Sequence, residues 1–154
     1  MMRYALQSNR GGVATVESEL TIVRGYLEIE QVRFGDRLRY DIDVPDAVAK
    51  VRVPAFAVQT LVENSVKYAV SATKAGARIT VRARVDRDRL RLDITDDGPG
   101  FTGPIWVPGH GLDGLRSRLD AVYGSTAKLV VPAPGGATGA AVSIELPGEL
   151  PGVA

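Results

Sequence analysis

The sequence contains no cysteine, so a disulfide scaffold, a thiolate zinc site and a cysteine nucleophile are all excluded. Its one histidine, His110, rules out a histidine-cluster metal site and leaves any serine triad dependent on a single residue. No apolar run approaches the roughly 20 residues of a membrane-spanning helix, and Met1–Arg10 lack the hydrophobic stretch of a signal peptide. An excess of charge of one sign is missing too. With 19 basic against 18 acidic residues the net charge is +1, which offers no global field to steer nucleic acid or anionic lipid. Internal repeats and low-complexity linkers are absent. These absences predict a soluble, cytoplasmic domain with no nucleic-acid partner and no membrane contact of its own. Two consecutive methionines before mid-protein-like sequence suggest a piece cut from a longer chain.

What is present suits one globular domain. The chain has 154 residues, 45% hydrophobic and 24% charged. At that length folding removes about 68–70% of the unfolded surface from water. Residues 1–12 read as a loose leading segment, 13–148 as the folded domain and 149–154 as a loose end. Val16, Leu20, Val23, Leu27 and Phe34 mark a first helix, with Thr15 as cap and Glu17 and Glu19 in its first turn. Leu38, Tyr40, Ile42 and Val44 alternate with charges as a half-buried strand. Pro54 is expected to open a second helix, whose apolar face runs through Val58, Leu61, Val62, Ser65, Val66 and Ala69. Two alternating runs around Asp86-Arg87-Asp88 predict a hairpin. A third helix carries Leu112, Leu115, Leu119 and Val122 with Gly124 as its stop, and a last hairpin follows. Every strand has one apolar and one polar face. The fold class is therefore α+β: a two-layer sandwich in which about three helices cover one side of the sheet.

Three segments break local rules. Leu61–Tyr68 places Glu63 and Asn64 about 100° apart on a helix, with Lys67 one turn beyond Glu63. Read alone, this favours a solvent-facing Glu63–Lys67 pair and an incidental asparagine over a binding site. In Ile94–Phe101 a strand ends in two carboxylates and Gly98-Pro99-Gly100, which is either a turn or a place where a flat ligand approaches bare backbone. Gly109–Leu115 runs a glycine loop straight into a helix, a candidate phosphate seat, although no Walker-type Gly-Lys-Ser/Thr is present.

In this order and spacing the segments resemble the N-box and two glycine boxes of the GHKL ATPases, which include histidine kinases, gyrase B subunits, MutL and heat-shock chaperones. "YLEIEQVRFGDRL", "LVENSVKYAV", "DDGPGF" and "GHGLDGLRSRLDAVYG" are most similar to the catalytic domain of LytS/YehU-like sensor histidine kinases. That resemblance implies a Bergerat fold with a mixed, mostly antiparallel sheet and an ATP site. By it, Asn64 would hold Mg²⁺ against the phosphates, Glu63 would act as base or water organiser, and Lys67 would pair with phosphate. Asp96 would take the adenine amine, Gly98 and Gly100 would let the base lie close, Gly109 and Gly111 would hinge the lid before Leu112, and Thr138 would complete the adenine network. The implied activity is protein histidine kinase, with the γ-phosphate passing to a histidine on a separate phosphoacceptor/dimerisation domain and on to a response regulator. Residues 1–12 would then be the tail of that acceptor segment, in a parent that is possibly membrane-anchored.

Departures from the pattern are Gly114 where asparagine is frequent, and Ala137 between Gly136 and Thr138. His110 reads as filling a variable position and not as the phosphoacceptor. Trp106 reads as a core plug in preference to an exposed lid hydrophobe. The other readings weighed are an ATP-gated dimerisation switch of the MutL/chaperone type and an anti-sigma serine kinase. The arginines of the central hairpin (Arg78, Arg82, Arg84, Arg87, Arg89 and Arg91) have no interleaved aromatics, so a solvated face or a docking surface is preferred over a nucleic-acid site.

Overall fold

The computed structural model describes residues 12–71, 73–99, 111–131 and 140–147. Thr15 caps the first helix through a reciprocal box: its hydroxyl accepts from the Ser18 N–H at 3.2 Å, and the Thr15 N–H donates to Ser18 Oγ at 3.1 Å. Helix α1 (Val16–Phe34) follows from that cap and buries the predicted stripe of Val16, Leu20, Val23 and Leu27. It ends where Gly35 turns to φ 57° and donates its N–H to the Gln31 carbonyl. Just before it lies a short strand β1 (Val13–Thr15).

Strand β2 (Leu38–Asp43) alternates as its sequence predicts. The next element does not. Pro54 closes a strand β3 (Arg52–Pro54) that pairs antiparallel with β1, Val13 opposite Pro54. The chain then corners through Phe56 in the left-handed region (φ 66°), and helix α2 (Ala57–Ser65) starts three residues later than expected. The physical reason is tertiary. A proline at the end of a short edge strand forfeits no interior ladder bond, and the N–H groups that begin the helix are met by a carboxylate from α1. From Val66 to Val70 the helix widens into a π turn.

Strands β4 (Ala77–Asp86) and β5 (Arg89–Asp96) form the predicted hairpin, with Arg87 and Asp88 both at positive φ as a tight two-residue turn requires. Helix α3 (Gly111–Tyr123) buries Leu112, Leu115 and Leu119, but its last core contact is Tyr123, since Val122 is 37% exposed. Gly124, at φ 58°, stops it as expected. Strands β6 (Lys128–Val130) and β7 (Ala140–Pro147) complete a five-stranded sheet in the order β2-β4-β5-β7-β6. Among the described residues only β2 and β4 run parallel; the other neighbours are antiparallel.

Register assigns the two faces. Val81, Ile94 and Val142 lie in one row and Ala83, Leu92 and Ile144 in the next, all buried beneath the helices. The alternate rows carry the polar side chains. Arg91 binds Asp93 at 2.9 Å and Glu145 at 3.1 Å there, and Arg78 binds Asp41 at 2.6 Å. Arg82, Arg84 and Arg89 stay exposed. The hairpin arginines thus belong to a partly self-paired, solvated face of a two-layer α/β sandwich, in which the described helices lie on the other side.

Candidate functional site

Helix α2 is the element on which the three unusual segments meet. Thr60 in its first turn faces the start of α3, where a Cβ added to Gly111 would lie 3.1 Å from Thr60 Cγ2. Ala69, at the far end of the π turn, meets the loop after β5. A Cβ on Gly98 would lie 2.5 Å from the Ala69 Cβ and 2.9 Å from its Cα. Asn64 lies between these two contacts along the chain, half-buried, beside an exposed Glu63.

Four of the predicted residues, Asp96, Gly98, Gly111 and Leu112, have a local cause for their place. Asp96 is the last residue of β5, the middle strand of the sheet, in register with Ile79 on one side and Ala140 on the other. Its Oδ1 accepts the Gly98 N–H at 3.0 Å, folding the chain back at the strand end. Asp97 continues the ladder, accepting from the Arg78 N–H at 2.7 Å. Gly98 is buried, and its missing side chain is needed first for contact with Ala69. Gly111 is the first residue of α3, and Leu112 is 3% exposed, anchoring the start of that helix in the core. Gly100, Gly109 and Thr138 lie outside the described residues, as do His110, Trp106 and Ala137.

One expected contact is not made. Among the described residues Glu63 forms no ion pair with Lys67; its Oε1 accepts from Gln59 Nε2 at 2.9 Å, one turn back, while Lys67 Nζ lies 5.1 Å from the Tyr68 ring centroid. The π turn beginning at Val66 changes the angular step between positions 63 and 67, so one-turn α-helical spacing no longer applies. Such turns are rare and concentrate at functional sites. This one directly follows Asn64 and the Ser65 that ends the α-helical part.

Two residues to which sequence alone assigns no role in the site, Tyr26 and Glu19, also face the elements that build it. Burial, with smaller contributions from the charges of Glu30 and Glu63, pushes the phenol of Tyr26 on α1 up to about 12. Glu19 is fully buried, and its two oxygens accept the N–H groups of Phe56 (3.1 Å) and Val58 (3.2 Å) at the start of α2. Arg118 of α3 donates to the Ala55 carbonyl beside them. Burial lowers its pKa, while Glu19 opposes that shift.

The donor set suits a cation that is only partly held by protein. Among the described residues no three His, Cys, Asp or Glu side chains converge as a cage. Asn64, by contrast, offers an amide oxygen at a half-open position, which fits Mg²⁺, a cation that keeps waters and takes phosphate oxygens. Among the described residues no helix is long and apolar enough to cross a membrane.

Comparison with known proteins identifies the family. A family profile described as histidine kinase-, DNA gyrase B- and HSP90-like ATPase matches residues 53–149, and a histidine kinase profile matches residues 1–38. The chain is 33% identical over 140 residues to the sensor protein LytS of Enterococcus faecalis, covering 81% of this chain and 24% of that protein. It is 30% identical over 116 residues to the sensor histidine kinase YesM of Bacillus subtilis, covering 73% and 20%. The chain thus spans about a quarter of the length of the curated relatives it matches. In fold it is similar to the Acinetobacter baumannii histidine kinase AdeS (TM-score 0.66, 15% identity, 94% of this chain and 73% of that one). It is likewise similar to the catalytic domain of the histidine kinase ThkA (TM-score 0.65, 16% identity, 90% and 97%). Since the ATPase profile covers more than half of the chain, the chain belongs to the histidine kinase-, DNA gyrase B- and HSP90-like ATPase family, and the part of it that aligns with curated proteins is similar to one segment of sensor histidine kinases.

Proposed function

We propose that this domain binds Mg-ATP over α2, between the β5 loop and the start of α3, and presents the γ-phosphate to a histidine on a separate phosphoacceptor domain. The packing of Gly98 against Ala69 and of Gly111 against Thr60, positions that bracket Asn64 along the chain, supports this reading. Asp96, fixed at the end of the middle strand, accepts a hydrogen bond from the exocyclic amine of adenine. Gly98 and Gly100 keep the base's surroundings free of side chains. Gly111 and Leu112 begin a helix whose positive end suits phosphate, and Gly109 and Thr138 complete the lid and the purine side. Asn64 holds the Mg²⁺, which when bound neutralises phosphate charge. Lys67 adds a cation that reaches the phosphates as a point charge.

In the reaction a ring nitrogen of the acceptor imidazole forms a bond to the γ-phosphorus as the bond to the bridging oxygen breaks and ADP leaves. Glu63, exposed and adjacent to Asn64, takes or orients the proton of that imidazole. The other residues position the reactants. A response regulator then receives the phosphoryl group from the histidine. Dependence on ATP fits work in the cytoplasm.

Calorimetric titration of the whole chain with ATP, with and without Mg²⁺, tests the site. Magnesium is expected to tighten wild-type binding by at least about tenfold, equivalent to roughly 1.4 kcal/mol. Asn64→Ala is expected to remove that enhancement while metal-free binding persists. An Asn64→Ala protein that responds to magnesium like the wild type would refute the metal assignment.

A further inference from the structure

We propose that Glu19 is a positioning residue for the nucleotide site: its buried carboxylate fixes the start of α2 and thereby the placement of Asn64. This rests on the reading of Asn64 as the magnesium ligand. The observation behind it is an ionisable side chain with 0% exposure inside an apolar core, which is expensive unless every oxygen is satisfied. Here each oxygen has a backbone partner, and both partners open the same helix: the Phe56 N–H on Oε2 and the Val58 N–H on Oε1.

Helix α2 has no side-chain cap of its own. Its cap position is Phe56, which has no side-chain oxygen to offer and sits at φ 66°. The carboxylate that α1 supplies satisfies two N–H groups at once and places negative charge at the positive end of the helix. A leucine of similar volume would fill the space at less desolvation cost but would leave those groups orphaned. Arg118 closes the arrangement from α3: it donates to the carbonyl of Ala55, one residue before the cap, from a half-buried position.

Three helices are therefore indexed to one another at one point. α1 lies within the stretch matched by the histidine kinase profile, and α2 and α3 within the stretch matched by the ATPase profile. Asn64 lies two turns beyond Ala57, the first residue of α2, and so about 10 Å along the axis from the point that Glu19 fixes. A one-residue slip at the start of α2 would swing Asn64 by about 100°.

The test is a double-mutant cycle between Glu19→Gln and Asn64→Ala on the whole chain, measured as ATP affinity with and without Mg²⁺ well below the melting temperature, alongside thermal melts. Glutamine would keep the shape of the side chain but oppose an amide N–H₂ to one of the two N–H groups. Glu19→Gln is expected to weaken Mg-ATP binding about tenfold and metal-free ATP less than about twofold. On the Asn64→Ala background it is expected to add less than about twofold, because both changes then act on one interaction. A lowered melting temperature with unchanged Mg-ATP affinity would overturn the proposal, as would a full tenfold loss on the Asn64→Ala background. Should Glu19→Gln fail to melt cooperatively, Arg118→Gln serves the same cycle, with the same magnesium-selective pattern expected at about threefold and the same results overturning it. Absence of magnesium enhancement in the wild type would instead refute the Asn64 reading, so the two failures are distinct.

Discussion

Gly98→Ala is expected to lower the melting temperature by roughly 6–12 °C and to remove measurable ATP binding at the same time. The added methyl has no room. It would sit 2.5 Å from the Ala69 Cβ, 2.9 Å from the Ala69 Cα and 3.2 Å from the Asp96 carboxylate. The Ala69 Cα belongs to the backbone of the π turn, so relief requires the whole β5 loop to move away from α2. Overpacking of this kind costs about 3 kcal/mol, which for a domain of this size corresponds to that shift in melting temperature. The same movement breaks the 3.0 Å bond by which Asp96 holds the Gly98 N–H, so the carboxylate loses its fixed direction. Differential scanning calorimetry and an ATP titration on one sample read both effects. A Gly98→Ala protein with wild-type melting and affinity would show that the loop has slack that these contacts do not suggest.

Asp96→Ala is expected to reduce ATP affinity by about a hundredfold, roughly 2.7 kcal/mol, with a smaller effect on stability. Part of the loss is structural, since the turn at Gly98 loses its acceptor. Asp96→Asn separates the two roles. Its amide oxygen can still accept the Gly98 N–H, but its other atom is then a donor facing the donor amine of adenine. A site that presents the wrong member of a hydrogen-bond pair discriminates strongly. The expected result is a shift in preference from ATP toward GTP, whose six-position bears a carbonyl acceptor, in competition binding with the two nucleotides. If Asp96→Asn retains ATP preference and wild-type affinity, Asp96 is a turn residue and does not read the purine.

The parts of the fold that are legible in the sequence are those that repeat. Val16, Leu20, Val23 and Leu27 share one face over three turns, and the β4–β5 hairpin alternates across eight cross-strand pairs. Thr15 and Gly124 mark helix ends by local chemistry that does not depend on what lies elsewhere. What is not legible depends on partners distant in the chain. The β1–β3 ribbon has three residues per strand, too few to show a period. Pro54 fits the first turn of a helix and the end of an edge strand equally well, and Val13 decides between them. Glu19 looks like any acid in a first turn; nothing near it in sequence says that residues 56 and 58 need its oxygens. The missing Glu63–Lys67 pair follows from a π turn that the spacing of residues does not encode. Gly98 is readable as a required glycine, but the contact that requires it, Ala69, lies outside its own motif.

The central claim is that one nucleotide pocket is shared by three segments, and backbone and side-chain amide shifts of the isotope-labelled chain titrated with Mg-ATP test it most directly. Asn64, Gly98 and Leu112 are predicted to shift together along a single saturation curve. Shifts confined to one of those segments, or separate curves for each, would contradict the shared pocket.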